Sequence, residues 1–219
     1  MIVPTPSSSI AEAIQRIHAA LPETTTLIAA SKRQEEARVE AALKAGQRVF
    51  GENRVQEAQQ RWAERRKQLP GLELHMIGPL QTNKAEEAVQ LFDVIQTLDR
   101  AKLLAALTKA VKKSGTAPPD LMIQVNTGEE PQKAGVLIAD LPDLIAETRR
   151  IWPGRLIGLM CIPPAAEPAA PHFALLKRLV SEFDLTACSM GMSQDYALAA
   201  RLGATHVRVG TALFGARDS

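Results

Sequence analysis

The sequence predicts an α/β protein: a single (β/α)8 barrel of the TIM type spanning residues 1–219, with an extra helix at its amino end. Three observations lead there. Short apolar runs alternate with helix-periodic stretches, and the alternation repeats eight times. No hairpin signal separates neighbouring strands, so they run parallel with right-handed crossovers, and eight such units argue for closure. The length, 219 residues, is one that α/β barrels commonly use as a single unit, and no linker is long or biased enough to divide it. A doubly wound open sheet is the competing arrangement, but it commonly has fewer strands.

The elements follow in order. Ser9 is placed to cap a first helix, Ile10 to Leu21, with Ile10, Ile14, Ile17 and Leu21 on one face and Pro22 closing it. The first strand reads Thr26 to Ser31 and puts Lys32 at its carboxyl end. The helix after it carries Ala37, Ala41 and Ala45 and stops at Gly46. Strand two is Arg48 to Glu52, followed by a helix with Val55, Ala58, Trp62 and Leu69 that Pro70-Gly71 ends. Strand three is Glu73 to Ile77; past Gly78-Pro79 a helix covers Thr82 to Leu91. Strand four, Asp93 to Leu98, leads into a helix from Arg100 to Lys113, and strand five is Asp120 to Asn126. A helix at Leu141 to Arg150 precedes strand six, Leu156 to Ile162. The last units are a helix at Ala169 to Phe183, strand seven at Leu185 to Cys188, a helix at Ser193 to Leu202 and strand eight at Thr205 to Val209.

Composition excludes several classes. Residues are 46% hydrophobic and only 4% aromatic, so Ala, Leu, Val and Ile fill the core. The formal net charge is +2 with both signs interspersed, which gives no footprint for nucleic acid. The densest basic cluster, Arg61 to Lys67, contains Glu64 and reads as a solvated helix face. Two cysteines make no disulfide framework and fit a reducing compartment. No apolar run approaches the roughly 20 residues that cross a bilayer. Met1 to Ser9 has no basic or apolar leader segment, so a cytoplasmic protein is expected. His18, His75, His172 and His206 lack ligand spacing, so no metal site is expected.

Ligands of parallel α/β sheets bind at the carboxyl edge of the strands. Lys32 stands there, and alone it reads either as a snorkelling surface cation or as an amine with a buried stem and a chemical task. At the other end of the chain, Ser189-Met190-Gly191-Met192-Ser193 and Val207-Arg208-Val209-Gly210-Thr211 fall after strands seven and eight, where barrels often build a phosphate site. Ser193 can cap the next helix, whose first N–H groups suit a dianion. Gly210-Thr211 offers further N–H groups and a hydroxyl. Taken singly, Ser193 is an ordinary N-cap and Gly210 an ordinary turn. Arg208 lies among apolar residues, paired within the barrel or aimed at a ligand. Barrel closure sets strand eight beside strand one, so lysine, arginine and cradle converge. A small phosphorylated aldehyde held as an imine on the lysine uses all three.

These pieces resemble the pyridoxal phosphate homeostasis protein family, relatives of the N-terminal barrel of alanine racemase. The matching stretches are Ala30-Ser31-Lys32, Phe50-Gly51-Glu52-Asn53, His75 to Lys84, Gln124-Val125-Asn126, Gly158-Leu159-Met160, Ser189 to Ser193 and Val207 to Gly215. They cover nearly the whole chain in the family's order, and the pieces 78–84 and 189–215 are the specific ones. The resemblance implies that Lys32 forms the Schiff base with pyridoxal 5'-phosphate and that Asn53 sits beside it. It also implies that Ser193, Gly210 and Thr211 hold the phosphate and that Arg208 faces the pyridine nitrogen. Glu35 stands where the family usually has a proline.

Among the other candidates, Met160, Met190 and Met192 are expected to pack around the cavity, which makes Met192 a cofactor contact. His75 reads as a residue of the barrel mouth, with core packing the alternative. Asn126 is either aimed at the site or part of a turn, and Cys161 and Cys188 are expected to be buried thiols. A racemase needs a second base opposite the lysine, and the sole tyrosine, Tyr196, is read one turn into a helix. Arginine does not give up its proton, so Arg208 leaves the ring a weak electron sink. The expectation is therefore a non-catalytic monomeric carrier of pyridoxal phosphate, serving intracellular cofactor and amino and keto acid balance. No catalytic residue is assigned, and pyridoxal phosphate-dependent apoenzymes are the expected recipients. The alternatives are a pyridoxal phosphate-dependent amino-acid racemase, or a barrel that binds another phosphate ester.

Overall fold

The computed structural model describes residues 9–215. Most of the amino-terminal stretch read above for a leader therefore lies outside the described residues. Eight parallel strands close into a barrel in chain order, so the doubly wound alternative is excluded. The strands are β1 (Thr26–Ala30), β2 (Val49–Glu52), β3 (Glu73–Met76), β4 (Val94–Leu98), β5 (Asp120–Val125), β6 (Leu156–Cys161), β7 (Ala187–Ser189) and β8 (His206–Val209). The helices are α1 (Ile10–Ala19), α2 (Glu36–Lys44), α3 (Val55–Gln68), α4 (Ala85–Leu91), α5 (Ala101–Ser114), α6 (Leu141–Ile151), α7 (Ala169–Glu182), α8 (Tyr196–Arg201) and α9 (Thr211–Phe214). Short 3-10 turns precede α4 and α6.

Closure rests on β1 pairing with β8, in a register that runs from Thr26 opposite His206 to Ala29 opposite Val209. On the other side β1 pairs with β2 through Ala29–Phe50 and Ala30–Gly51. Leu74, Leu103, Leu104, Leu107, Phe173 and Leu176 are fully buried in the main apolar core. Residues at matched register share a face, so the pairs Ile28–Arg208, Ala30–Gly51, Gly51–His75 and Ser189–His206 line one side together. That face carries buried polar side chains: His75, Gln96, Ser189 and Arg208.

Three readings need correction. Strand seven starts two residues later than expected and ends one later, because Leu185 closes α7: its N–H donates to the Val180 carbonyl at 2.9 Å, behind Asp184 in the left-handed region. The helix after it begins at Tyr196 rather than Ser193, since Met192 and Asp195 form a turn first, with Met192 N–H donating to Asp195 Oδ1 at 2.6 Å. Helix α9 was not anticipated, being only one turn long.

The amino-terminal cap is as read. Ser9 Oγ accepts from Glu12 N–H at 3.2 Å while Glu12 Oε2 accepts from Ser9 N–H at 3.1 Å. Ser9→Ala should lower the free energy of unfolding by about 1 kcal/mol. Urea unfolding checks this, and an unchanged midpoint would show that the box adds nothing to stability.

Candidate functional site

The site is built where the β1 and β2 ends meet the loops after β7 and β8. Past β1, Ser31 N–H still donates to the Gly51 carbonyl at 3.0 Å, and then the chain leaves the sheet in a turn closed by Gln34 N–H on the Ser31 carbonyl. Lys32 is exposed within this turn, two residues past β1, which ends at Ala30, one residue earlier than expected. Arg33 takes a left-handed φ of 55°. Glu35 precedes α2 with φ −62°, the value a proline ring would fix, so the glutamate enters α2 in a backbone that a proline would also take.

A buried polar clamp holds the turn. Arg61, on α3, donates to the carbonyls of Ser31 and Gln34 at 2.7 Å each, to Glu36 at 2.7 Å and to Glu52 Oε1 at 3.0 Å. The fully buried Glu52 Oε1 also accepts from the Ser31 hydroxyl at 2.7 Å and from Trp62 Nε1–H at 3.0 Å. Arg61 is therefore not part of a solvated face, as its charge run suggested. The sequence carried no signal for this, because Arg61 sits in a run of charged residues and its partners Ser31, Gln34 and Glu52 lie on other elements. Burial opposes the charge on Arg61, but its hydrogen bonds and proximity to Glu36 and Glu52 hold its pKa above the ordinary value.

Glu52 ends β2 and delivers Asn53 to the same rim. Asn53 Oδ1 is buried without a hydrogen-bond partner among the described residues, and Glu52 Oε2 is in the same position. Buried acceptors are nearly always satisfied, so an orphan at a pocket wall is an acceptor kept for something else. Gly78 explains how Asn53 is held: a Cβ there would lie 2.3 Å from the Asn53 carbonyl oxygen, so only glycine lets the two backbones approach.

From the other side come the ends of β7 and β8. Gly191, at φ 93°, lets this loop turn, and its carbonyl accepts from Arg208 N–H at 2.9 Å. Ser193 does not cap α8. Its hydroxyl oxygen instead accepts from Gly210 N–H at 3.2 Å and Ala212 N–H at 3.1 Å, tying the β7 loop to the β8 loop. Two N–H groups converging on one acceptor is the arrangement that anion-binding turns use. Arg208 rises from β8 and is 4% exposed. Its guanidinium donates to Ser189 Oγ at 2.6 Å and to the Cys161 carbonyl at 2.8 Å. Burial lowers its pKa from the ordinary value, although an arginine this far above neutrality stays charged. Among the described residues no carboxylate forms an ion pair with it, so the purely structural ion pair is not what is found.

These elements enclose a pocket of about 380 Å³. All seven residues expected at the site line it: Lys32, Asn53, Met192, Ser193, Arg208, Gly210 and Thr211. Ile77 and Ile162 add apolar walls and Asp195 a carboxylate; sequence reasoning missed them, though each lies within three residues of a matched piece or strand end. Other candidates fall elsewhere. His75 is fully buried inside the barrel, not at its mouth. Asn126 belongs to a turn, its amide bridging to the Glu130 backbone at 2.8 and 3.3 Å. Met160 and Met190 are fully buried and do not line the pocket. Tyr196 is the first residue of α8, not one turn in, and does not line it either. Both thiols are buried, and burial pushes each up to about 12.

Comparison with known proteins gives a consistent result. The family described as "Alanine racemase, N-terminal domain" matches residues 7–218. A Pseudomonas aeruginosa protein named pyridoxal phosphate homeostasis protein is 41% identical over 226 residues, covering 96% of this chain and 97% of its own. The Escherichia coli K12 protein of the same name is 36% identical over 207 residues, covering 90% and 88%. The structure of PipY from Synechococcus elongatus with PLP bound superimposes with a TM-score of 0.86 at 39% identity, over 94% of this chain and 100% of that one. Clostridium difficile alanine racemase shares the fold at 15% identity and a TM-score of 0.76, covering 96% of this chain and 57% of its own.

Titration inside the barrel sets a pH limit on this arrangement. Burial first, then proximity to His75 and Arg208, pushes His206 down to about 4. The hydrogen bond from His75 holds the Glu73 carboxyl below its ordinary value. Between about pH 6.5 and 4 the unfolded chain takes up a proton at His206 that the folded chain refuses, so stability falls as pH drops through that window. The depressed Glu73 contributes stability that is present above its unfolded value and lost only at lower pH. Urea unfolding at pH 7.5 and 5 should differ by on the order of 2 kcal/mol, and His206→Gln should remove most of the difference. An equal difference in the variant would assign the effect to other groups.

Proposed function

The chain belongs to the pyridoxal phosphate homeostasis protein family, and from that premise we propose that it holds pyridoxal 5'-phosphate as a Schiff base on Lys32. Its part in cofactor and amino and keto acid balance is then that of a holder rather than a catalyst. The observation that carries this reading is the meeting of Lys32 with a buried arginine that has no carboxylate partner among the described residues, in one pocket. An unpaired buried charge is costly unless something compensates it, and an electron-rich ligand does so.

The residues present fit the group. Pyridoxal phosphate supplies, when bound, an aldehyde that an amine can take up and an electron-withdrawing pyridine ring. Lys32 is the amine on the pocket wall. Ser193, whose oxygen holds the Gly210 and Ala212 N–H groups, and Thr211 bring two hydroxyls to one wall of the pocket, which together suit a phosphate. Ile77, Ile162 and Met192 supply the apolar walls an aromatic ring needs. Asn53 keeps an unsatisfied acceptor at the rim. Arg208 donates hydrogen bonds but holds its own proton, so toward a ring nitrogen it acts as a donor that does not protonate.

What the pocket lacks supports holding over turnover. Inverting a carbon centre needs one group to remove a proton and a second, on the opposite side, to return one. The only tyrosine of the chain does not line the pocket, and neither does any histidine among the described residues; the carboxylate that does, Asp195, is engaged by the Met192 N–H at 2.6 Å. The reading extends to a cytoplasmic monomer of one barrel that passes its cofactor to apoenzymes, in keeping with two buried free cysteines.

Loading the protein with pyridoxal phosphate and incubating it with L-alanine in deuterated water tests this. The expected result is a change in absorbance as the amino acid displaces Lys32, with neither α-deuteration nor D-alanine. Rapid deuteration with accumulating D-alanine would make the protein a racemase.

A further inference from the structure

Behind the pocket floor a chain of hydrogen bonds runs through the barrel interior. Arg208 donates to Ser189 Oγ at 2.6 Å, and Ser189 Oγ donates to Gln96 Oε1 at 2.7 Å. Gln96 Nε2 meets His75 Nδ1 at 2.8 Å, and His75 Nε2 meets Glu73 Oε1 at 2.7 Å. His75, Gln96 and Ser189 are fully buried, and none of them lines the pocket. Glu73 is the first residue of β3, at the amino end of the barrel, and its side chain is 45% exposed.

With His75 neutral, the two ends of the series fix the direction of every bond. A guanidinium only donates, so the Ser189 oxygen accepts from it, and the Ser189 hydroxyl proton goes to Gln96 Oε1. The Gln96 carbonyl oxygen must then face Ser189, which leaves its NH2 facing His75. His75 Nδ1 must therefore be bare, and the ring carries its proton on Nε2, aimed at the Glu73 carboxylate. The acid at the far end, an obligate acceptor when ionised, demands the same order as the arginine at the near end. His206, whose ring centre is 5.9 Å from that of His75, lies outside the series and bonds to Thr205 instead at 2.7 Å.

We propose that Gln96 and His75 are positioning residues for Arg208, holding its guanidinium at the pocket floor through a one-directional hydrogen-bond chain that ends at Glu73 on the opposite side of the barrel. The chain orients the buried cation without a carboxylate in contact with it, so the charge is held in place yet left for what the pocket binds. A direct carboxylate partner would neutralise Arg208; four intervening hydrogen bonds keep the negative charge at the exposed end. The consequence for the ligand rests on the reading that the pocket holds pyridoxal phosphate, whereas the bonding order does not.

Two measurements separate these. Long-range 15N NMR of the histidine side chains, with His75 assigned from a His75→Gln variant, should find a neutral Nε2–H tautomer at neutral pH. A Nδ1–H tautomer or an imidazolium at His75 would overturn the chain whatever the ligand. Gln96→Met keeps the volume and removes both bonds. In protein loaded with pyridoxal phosphate it should shift the absorbance maximum and weaken retention about tenfold. Glu73→Leu, nearer solvent and less exposed to failure of folding, should move both in the same direction by less. Glu73→Gln, whose amide oxygen still accepts from His75, should restore them. Folded Gln96→Met or Glu73→Leu protein with the parent's spectrum and retention would overturn the proposal. If the parent itself retains no pyridoxal phosphate, the functional reading fails, and the His75 tautomer alone decides the chain.

Discussion

Everything at the site depends on one pairing, β1 against β8. Those strands are separated by most of the sequence, yet in register from Thr26–His206 to Ala29–Val209 they bring the Lys32 turn beside the loops that carry Ser193, Gly210 and Thr211. An open sheet with the same strands would leave Lys32 and Arg208 at different positions along an edge. Parallel closure also fixes the polarity: every strand ends at the same rim, so residues just past the ends of β1, β2, β7 and β8 share one pocket.

The two cations of that pocket are held by opposite means. Lys32 sits exposed on a turn whose backbone is clamped from below, with Arg61 reaching two carbonyls of the turn and two carboxylates. Breaking a buried pair such as Arg61–Glu52 by removing one partner typically costs about 3–5 kcal/mol, so the turn is anchored while the lysine side chain is left at the surface. Arg208 is the reverse: its charge is buried, and neutral groups hold it at 2.6 and 2.8 Å. A reachable amine next to a fixed cation is an arrangement for capturing a ligand and holding it in one orientation.

The strand–helix alternation made the barrel legible in the sequence, and Lys32, Arg208 and the late serine–glycine loops were legible as convergent once closure was assumed. The losses have physical causes. Leu185 looked like a strand residue because it is apolar, but it is spent closing α7 through the Val180 carbonyl. Ser193 looked like a helix cap because serine commonly is one; its partners, Gly210 and Ala212, are distant in sequence and invisible to local reasoning. The same limit hid Arg61, whose contacts with Ser31 and Glu52 arise only when α3 packs over the β1 and β2 ends. His75 was misplaced at the mouth because its alternation says inward but not how deep.

The central claim is that the Lys32 amine is where this barrel attaches pyridoxal phosphate. Borohydride reduction of the loaded protein, followed by peptide mass spectrometry, addresses it most directly. The pyridoxyl group should be found on the peptide that contains Lys32, with bleaching of the absorbance band. An adduct confined to Lys84 or Lys133, with the Lys32 peptide unmodified, would contradict it.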